Sequence, residues 1–210
     1  MSDRKTHWEN IYSQNSPLDV SWYQEEPTLS LQLIRNTQLT FDEPIIDVGA
    51  GTSALVDCLC DDGYTNIGVL DISAKSLAYV RDRLENIASG VEWYEEDIIH
   101  FDPPHPFSLW HDRAVFHFLT DKSDRDNYVN VLKRVLKKNG HLIIAAFAIG
   151  GPTKCSGLDI VQYDAIKLMA ELGEGFELVE KKNEIHITPA NKKQTFTYFR
   201  FIRKSENIKT

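Results

Sequence analysis

Short apolar runs alternate along the chain with longer segments whose apolar residues recur at helical spacing. Five of these runs predict strands, at residues 44–48, 67–71, 91–94, 107–110 and 141–147. Two further strands are predicted at 176–187 and 195–202, with no helical segment between them. Because alternating strands and helices build parallel sheets, the sequence predicts an α/β fold with a doubly wound, mostly parallel sheet covered by helices on both faces.

The helical segments are marked by spacing and by end signals. Helices are predicted over 53–61, from Ser73 onward, from about Tyr128 to a cap at Asn139-Gly140, and over 158–172. Before the first strand, residues 27–38 are amphipathic, with Leu29, Leu33 and Ile34 close to one helical face. The N-terminal 40 residues are therefore expected to form a helical cap.

The first strand runs directly into a glycine-rich segment, Asp47-Val48-Gly49-Ala50-Gly51, and then into a helix. Glycines permit a tight turn and the close approach of a ligand to the backbone. The free N–H groups at the helix start favour a negative group. Asp47 places a carboxylate where it can face a cation such as a methionine-type ammonium. We predict that Asp47, Gly49, Ala50 and Gly51 bind a cofactor; the alternative is an ordinary strand-to-helix turn.

Asp71 ends the second strand, 20 residues after Gly51. This is the position and spacing of a carboxylate that accepts hydrogen bonds from two ribose hydroxyls. The alternative is an acid near a helix start, which Asp71-Ile72-Ser73 also satisfies. The coincidence with the glycine-rich segment favours cofactor binding by Asp71 and Ile72.

A third acidic segment, Glu95-Glu96-Asp97-Ile98, follows the third strand. The Asp97 carboxylate can accept from an adenine amino group, and Ile98 can pack on the ring. A solvated acidic loop is the alternative. Because ligands of such sheets bind beyond the carboxyl ends of the strands, the three segments together predict one nucleoside site there.

These segments resemble the class I S-adenosylmethionine (SAM)-dependent methyltransferases. DVGAGTS is similar to that family's glycine-rich motif, VLDIS to its ribose-binding acid, and EEDI to its adenine-side acid, in the family's order over residues 44–203. The resemblance implies SAM as the cofactor. It also implies a Rossmann-like sheet of seven strands with an antiparallel last strand, in a methyltransferase domain over 41–210 that follows a cap or lid over 1–40.

A nicotinamide dinucleotide enzyme is the minor alternative. Gly49-x-Gly51-x-x-Ala54 also fits the dinucleotide pattern, and Asp71 would serve the ribose of NAD equally well. Such an enzyme normally has a further substrate domain, for which this chain shows no segment. The two terminal strands also match the methyltransferase pattern, so the methyltransferase prediction is preferred.

The acceptor side of the site is less distinctive. The resemblance places the segment from His111 to His117, after the fourth strand, beside the transferred methyl group. His111, Asp112 and His117 are the candidate catalytic residues, since imidazole titrates near neutrality, with structural histidines as the alternative. Asp112-Arg113-Ala114 is partly similar to thiopurine and halide methyltransferases, and more distantly to lysine methyltransferases. Asp102-Pro103-Pro104 lies before the fourth strand and is interpreted as a turn.

Aromatic residues precede the first strand. Trp22 and Tyr23, with Trp8 and Tyr12, are predicted to cover the cofactor and to contact its sulfonium by cation–π attraction. A cap packed on the sheet is the alternative. The glycine-rich segment 150–157 is predicted to be a substrate loop.

Composition excludes several classes of function. The net charge is −8 and the basic residues are scattered, whereas nucleic-acid binders carry a basic stripe. Three cysteines without a CxxC pair predict neither a disulfide framework nor a zinc site. The longest apolar run is far below the length of a membrane span. A cytoplasmic protein without nucleic-acid or membrane partners is expected.

The expected function is methyl transfer from SAM to a nitrogen, oxygen or sulfur atom of a small molecule. A protein lysine methyltransferase is the enzyme alternative, and a SAM-binding regulatory protein without catalysis is the alternative outside the enzymes. The sequence leaves the acceptor, the use of a general base and the oligomeric state open.

Overall fold

The computed structural model describes residues 3–205, without the side chains of Asp3 and Asn86. Its helices are α1 (Asp3–Gln14), α2 (Thr28–Arg35), α3 (Leu55–Asp61), α4 (Ala74–Leu84), α5 (Lys122–Val135) and α6 (Ala165–Leu172). Its strands are β1 (Ile45–Val48), β2 (Ile67–Asp71), β3 (Val91–Glu95), β4 (Phe107–Arg113), β5 (Leu136–Phe147), β6 (Lys154–Cys155), β7 (Leu158–Asp159), β8 (Phe176–Ile187) and β9 (Lys193–Arg203). Short 3₁₀ helices lie at Glu85–Gly90, Ile98–His100 and Phe116–Phe118.

Seven strands form one twisted sheet in the order β3-β2-β1-β4-β5-β9-β8. Strands β1 to β5 are parallel, whereas β9 runs antiparallel to both of its neighbours. The predicted fold class, a Rossmann-like seven-stranded sheet with an antiparallel last strand, is confirmed. The strand order reverses direction between β1 and β4, and this switch point is where such sheets bind ligands.

The two faces of the sheet bury separate apolar layers. Residues of α2, α3 and α4 pack on one face with Ile45 and Val69. Residues of α5 and α6 pack on the other face with Trp110 and Phe199. The central strands are therefore buried on both sides, which accounts for their nearly continuous apolar sequence. Burial of both faces fixes the strand ends that build the functional site.

Two predicted helix boundaries are wrong. Helix α5 ends at Val135 rather than at Asn139-Gly140, because Leu136 is buried and pairs with Phe107 at the start of β5. Helix α6 begins at Ala165 rather than near Leu158. The residues before α6 instead form the small β6–β7 hairpin. Asp164 caps α6 by accepting from the Lys167 N–H at 2.8 Å.

The N-terminal segment contains two helices. Only α2 carries the amphipathic pattern that the sequence shows, and its apolar face is buried. Helix α1 has no regular aliphatic stripe, and the pattern of the sequence did not predict it. Its inward side is made of Trp8 and Tyr12, and it lies against α4. The division into a cap over 1–40 and a domain over 41–210 stays a prediction. Among residues 3–205, no helix has the length and apolar character needed to cross a membrane.

We expect Gly68→Ala to lower the free energy of unfolding by about 1–2 kcal/mol, since one extra methyl would overfill this part of the core. Gly68 lies within β2, and an added Cβ would stand 2.8 Å from Ile46 Cδ1 and 3.1 Å from Phe107 Cε1. Urea unfolding measures the change. Gly90→Ala is the matched control, because an added Cβ there meets no atom within 4 Å. Equal stabilities of the two variants would contradict the packing described here.

Candidate active site

A cleft lies beyond the carboxyl ends of β1 to β5. The cleft is partly open to solvent. From the sheet it is lined by Gly49, Leu70, Asp71, Ile72, Glu96, Asp97, Ile98, Arg113, Ala114, Val115 and Phe147. From the N-terminal segment it is lined by Arg4, Trp8, Tyr12 and Trp22, and from later segments by Phe118, Leu119, Cys155, Gln194 and Phe196.

The glycine-rich turn after β1 has the backbone conformation that glycine favours. Gly49 and Gly51 have φ angles of 62° and 55°. A Cβ on Gly49 would lie 1.9 Å from Val115 Cγ2, and one on Gly51 would lie 2.3 Å from the Tyr12 hydroxyl. Because glycine has no side chain, Val115 and Tyr12 can lie directly against the backbone of this turn. Gly49 lines the cleft.

Ala50 and Gly51 belong to the same turn but do not line the cleft. Ala50 is buried, and its N–H donates to the Leu70 carbonyl at 3.1 Å, which ties the turn to β2. The Gly51 N–H donates to a carboxylate of the site. Binding of a cofactor by Gly49, Ala50 and Gly51 stays a prediction.

The Asp71 carboxylate lines the cleft and connects the glycine-rich turn to the start of α4. Its Oδ2 accepts from the Gly51 N–H and its Oδ1 from the Ser73 N–H, both at 2.8 Å. The side chain is buried, and burial raises its pKa to about 6 although the hydrogen bonds oppose the shift. A carboxylate has about four acceptor positions, so two remain for a ligand.

Asp97 lines the cleft at the end of β3, where it meets α1. Both of its oxygens accept from Arg4 Nη1, at 2.9 and 3.2 Å, and Arg4 Nη2 also donates to Asp124 at 2.6 Å. The sequence analysis did not identify Arg4. A single arginine in an irregular N-terminal segment carries no signal until the structure places it against two acids.

Further polar contacts hold α1 over the cleft. Lys5 Nζ lies 2.5 Å from Glu95 Oε1 at one side. Glu9 accepts from the Ala74 N–H at 2.7 Å, at the first residue of α4. This contact places a negative group at a helix N-terminus, where the helix dipole is favourable. Helix α1 is thereby attached on both sides of the acidic half of the cleft, which contains Asp71, Glu96 and Asp97.

The inner side of the N-terminal segment is an aromatic cluster. The Trp8 ring lies 5.9 Å from the Trp22 ring and 5.0 Å from the Phe118 ring, in edge-to-face arrangement. Tyr12 contacts Trp22 at 6.3 Å. These rings line the cleft, so the structure brings Trp8, Tyr12 and Trp22 to the place the sequence predicts for a cover.

Tyr23 and Ile72 have different positions. Ile72 lines the cleft beside Asp71, as does Ile98 beside Asp97. Tyr23 lies instead in a shallow, open depression with His186 on the outside of the cap. This placement does not support its predicted contact with a cofactor, which stays a prediction.

Asp47 and His111 form a buried pair under α2. His111 Nδ1 lies 2.7 Å from Asp47 Oδ1, and His111 Nε2 lies 2.9 Å from Ser30 Oγ. β1 and β4 place Asp47 and His111 side by side in register. Neither residue lines the cleft. The predicted contact of Asp47 with a cationic ligand and the predicted role of His111 as a base both stay predictions, and the geometry favours a structural pair.

Asp112 holds the turn that follows β4. Its Oδ1 accepts from the Val115 N–H at 2.8 Å, and its Oδ2 accepts from the Phe116 N–H at 3.1 Å and the Tyr128 hydroxyl at 2.6 Å. Trp110 Nε1 donates to the same tyrosine oxygen at 2.9 Å. The carboxylate is fully buried, and burial raises its pKa to about 6. Asp112 does not line the cleft, so this arrangement favours a structural role over the predicted catalytic one.

His117 follows in the 3₁₀ helix of that turn. It is fully buried between the rings of Phe118 and Phe147, at 4.4 and 5.0 Å. Burial lowers its pKa to about 3, and the charge of Arg113 adds to the effect. Neither ring nitrogen has a hydrogen-bond partner among the described residues. His117 is therefore neutral, and two cleft-lining rings surround it.

The remaining lining residues include two that sequence reasoning missed, Arg113 and Gln194. Of the predicted substrate loop over 150–157, Cys155 lines the cleft. Burial raises the pKa of the Cys155 thiol, so it is protonated at neutral pH. Among residues 3–205 the structure contains no group of three or more potential metal ligands.

Comparison with known proteins agrees with this geometry. A model of the methyltransferase domain matches residues 45–140, which span β1 to the start of β5 and so include the acidic half of the cleft. Solved methyltransferases share the whole fold over nearly the full length of the chain. Residues 45–140 therefore carry a methyltransferase domain, and the chain has the fold of SAM-dependent methyltransferases. This assignment overrules the dinucleotide enzyme that the glycine pattern also allowed.

Three solved structures illustrate the likeness of this methyltransferase to others. An N-methyltransferase, NodS from Bradyrhizobium japonicum, in complex with S-adenosyl-L-homocysteine (SAH), has a TM-score of 0.71 at 15% identity and covers 97% of this chain and 100% of its own. A SAM-dependent methyltransferase from Anabaena variabilis has the same score and identity, over 96% and 93%. The glycopeptide N-methyltransferase MtfA, complexed with sinefungin, has a TM-score of 0.66 at 13% identity, over 89% and 92%. At these identities the likeness concerns the fold, and no curated protein sequence matches the chain.

We expect Asp112→Ala to lower the free energy of unfolding of this methyltransferase by about 3 kcal/mol, since two N–H groups and the Tyr128 hydroxyl would lose a buried acceptor. Asp112→Asn keeps one acceptor oxygen and is expected to lose less. Urea unfolding at pH 7 measures both variants.

The control for this experiment is Asp126→Ala. Asp126 forms an exposed i,i+4 ion pair with Lys122 on α5, and such pairs contribute less than about 0.5 kcal/mol. A stability of Asp112→Ala equal to that of the control, with loss of methyl transfer alone, would instead establish Asp112 as a catalytic residue.

Proposed function

We propose that this methyltransferase binds SAM in the cleft and transfers its methyl group to a nucleophilic atom of a small molecule. The observation that carries the proposal is the Asp71 carboxylate. It is buried in the cleft, held by two backbone N–H groups, and has acceptor capacity left for two hydroxyls. A ribose diol supplies two such donors side by side.

The walls beside Asp71 suit a nucleoside. Leu70, Ile98 and Leu119 offer apolar surface, and Asp97 offers carboxylate oxygens at the β3 end. The Asp97 oxygens already accept from Arg4. An adenine amino group would therefore share this acid with α1, so that α1 and the nucleoside would be bound by the same residue.

Bound SAM supplies a methyl group on a positively charged sulfur, ready for direct displacement. Residues of the cleft contribute by positioning the acceptor in line with that bond and by excluding water. The aromatic rings of Trp8, Tyr12 and Trp22 would shield a sulfonium and attract it by cation–π interaction. Neither His111 nor His117 lines the cleft, so we propose an acceptor whose lone pair is available without a histidine base.

A small molecule is preferred as the acceptor over a protein side chain. The cleft is covered by α1 and the aromatic cluster, and its acceptor end is lined by residues of β9 and of the segment at Cys155. An N-methyltransferase and a glycopeptide N-methyltransferase share the fold. Lysine of a protein stays the alternative substrate, and the residues at the acceptor end discriminate between the two.

Calorimetric titration with SAM, SAH and NAD tests the cofactor. We expect micromolar binding of SAM and SAH and no binding of NAD. Asp71→Asn should weaken SAH binding about 5- to 150-fold, because a buried acceptor for the ribose is lost, at about 1–3 kcal/mol. Asp126→Asn, on the exposed face of α5, is the control and should bind as the wild type does. Equal affinity of Asp71→Asn and the wild type would overturn the ribose assignment.

The affinity for SAH should also depend on pH. With its pKa raised to about 6 by burial, Asp71 is ionised at pH 7.5, where it accepts from two backbone N–H groups and can accept from the two ribose hydroxyls. At pH 5 it is protonated and loses acceptor capacity. Because binding requires the ionised form, affinity should fall as pH drops, approaching about tenfold per pH unit below 6.

The same titration in Asp71→Asn separates this carboxylate from other titrating groups. Asparagine has no proton to lose, so the variant should show a flat profile between pH 5 and 7.5. An unchanged slope in the variant would assign the pH dependence to another group and would contradict the role given to Asp71.

A further inference from the structure

Arg113, the last residue of β4, is held in one orientation but has one nitrogen free. Its Nε donates to the Tyr198 hydroxyl at 3.0 Å, and its Nη1 donates to the Trp22 carbonyl at 2.8 Å. The Tyr198 hydroxyl in turn donates to Glu184 at 3.0 Å. The third nitrogen, Nη2, is buried and has no hydrogen-bond partner among the described residues.

The charge of Arg113 is also unpaired. Within residues 3–205 no carboxylate forms an ion pair with it, since Glu184 is reached only through Tyr198. Its positive charge acts on its surroundings, where it contributes to lowering the pKa of His117 and of His186. A partly buried cation with an unsatisfied donor is unfavourable unless a partner supplies the missing charge and acceptor.

The surroundings of this guanidinium belong to the cleft. Arg113 lines it, and its central carbon lies 5.1 Å from the Phe196 ring. Phe147, Trp22, Gln194 and Cys155 line the same end. The opposite end is acidic, with Asp71, Glu96 and Asp97. A ligand that spans the cleft therefore meets carboxylates at one end and an unpaired cation set among aromatic rings at the other.

We propose that the acceptor substrate of this methyltransferase is an aromatic or otherwise flat carboxylic acid, whose carboxylate binds Arg113 Nη2. This inference rests on the proposed function, since it assigns SAM to the acidic end and the acceptor to the other. The nucleophilic atom is a separate group on the same molecule. Its lone pair forms the bond to the methyl carbon while the carbon–sulfur bond breaks, the electron pair stays on sulfur, and any proton on the nucleophile leaves to solvent.

The same charge argues against lysine as the acceptor. A lysine side chain would bring an ammonium towards an unpaired guanidinium in a site of low dielectric, where like charges repel strongly. A carboxylate provides the opposite charge and accepts a charge-assisted hydrogen bond from Nη2. Tyr198 and Glu184 act as positioning residues, because they hold Nε and direct the free nitrogen.

The test uses pairs of probes that differ only in charge. Wild-type protein saturated with SAH is titrated with indole-3-acetate and indole-3-acetamide, and with phenylacetate and phenylacetamide. We expect at least one acid to bind at least tenfold more tightly than its amide. If neither acid is preferred while SAH binds, the proposal on the acceptor fails and the proposed function stands. If SAH does not bind, the proposed function itself fails.

Variants of Arg113 assign the preference to this residue. Arg113→Gln should abolish the preference for acid over amide, and Arg113→Lys, which keeps the charge without the planar fork, should retain part of it. Arg200→Gln is the matched control, because Arg200 is a similarly buried arginine of β9 that pairs with Glu180 away from the cleft. Unfolding temperatures of all variants report whether they are folded. An acid preference that survives in folded Arg113→Gln would overturn the proposal.

A final comparison excludes the carboxylate of the cofactor as the partner. The affinities of SAH and of 5′-methylthioadenosine, which lacks the amino-acid part, are measured in the wild type and in Arg113→Gln. We expect the substitution to leave both affinities within about threefold, a difference below about 0.7 kcal/mol. A loss of tenfold or more for SAH alone would assign Arg113 to the cofactor and overturn its role in binding the acceptor.

Discussion

The buried carboxylate of Asp112 holds the turn on which both ends of the cleft depend. It accepts from the N–H groups of Val115 and Phe116 and from the Tyr128 hydroxyl, so the chain reverses sharply after β4. That reversal places Val115 against Gly49, where a methyl group would not fit beside it. It also fixes Arg113 at the strand end, with its side chain on the face opposite to Asp112. One carboxylate beneath the sheet edge therefore determines the shape of a site that it does not line.

Closure of the cleft depends on weaker interactions than the sheet does. Helix α1 is attached by ion pairs of Arg4 and Lys5 that remain partly exposed, and such pairs contribute little stability each. The aromatic contacts of Trp8 add apolar burial at the centre. Since the cover shares Asp97 with the proposed nucleoside, its attachment and the binding of a ligand involve the same carboxylate. The sheet and its two apolar layers need no such contribution from α1.

Periodicity and glycine placement were sufficient to predict the parallel core and the position of the cleft, whereas the seven strands and the antiparallel last strand were implied by the family resemblance. They were sufficient because buried strands, turns and the carboxyl-end rule depend on local sequence and general topology. Asp47, His111 and Asp112 show the limit. A polar side chain at the end of a strand can point into the cleft or towards the layer beneath it. Its direction depends on the residues with which it forms hydrogen bonds, here Ser30 for His111 and Tyr128 for Asp112. Helix α1 was missed because its inner side is aromatic rather than aliphatic.

Arg113 illustrates what sequence alone cannot show and geometry can. In the sequence it is one charged residue in a segment with a partial resemblance to several methyltransferases. In the fold, two of its nitrogens have partners in distant parts of the chain, Trp22 and Tyr198, and the third has none. Because a folded protein rarely leaves a buried donor unsatisfied, the missing partner is best sought outside the chain. The acidic end of the cleft has the opposite character. The proposed cofactor binds carboxylates at one end of the cleft, and the proposed acceptor binds a cation at the other. The two charged ends can therefore orient both molecules before the reacting atoms are aligned.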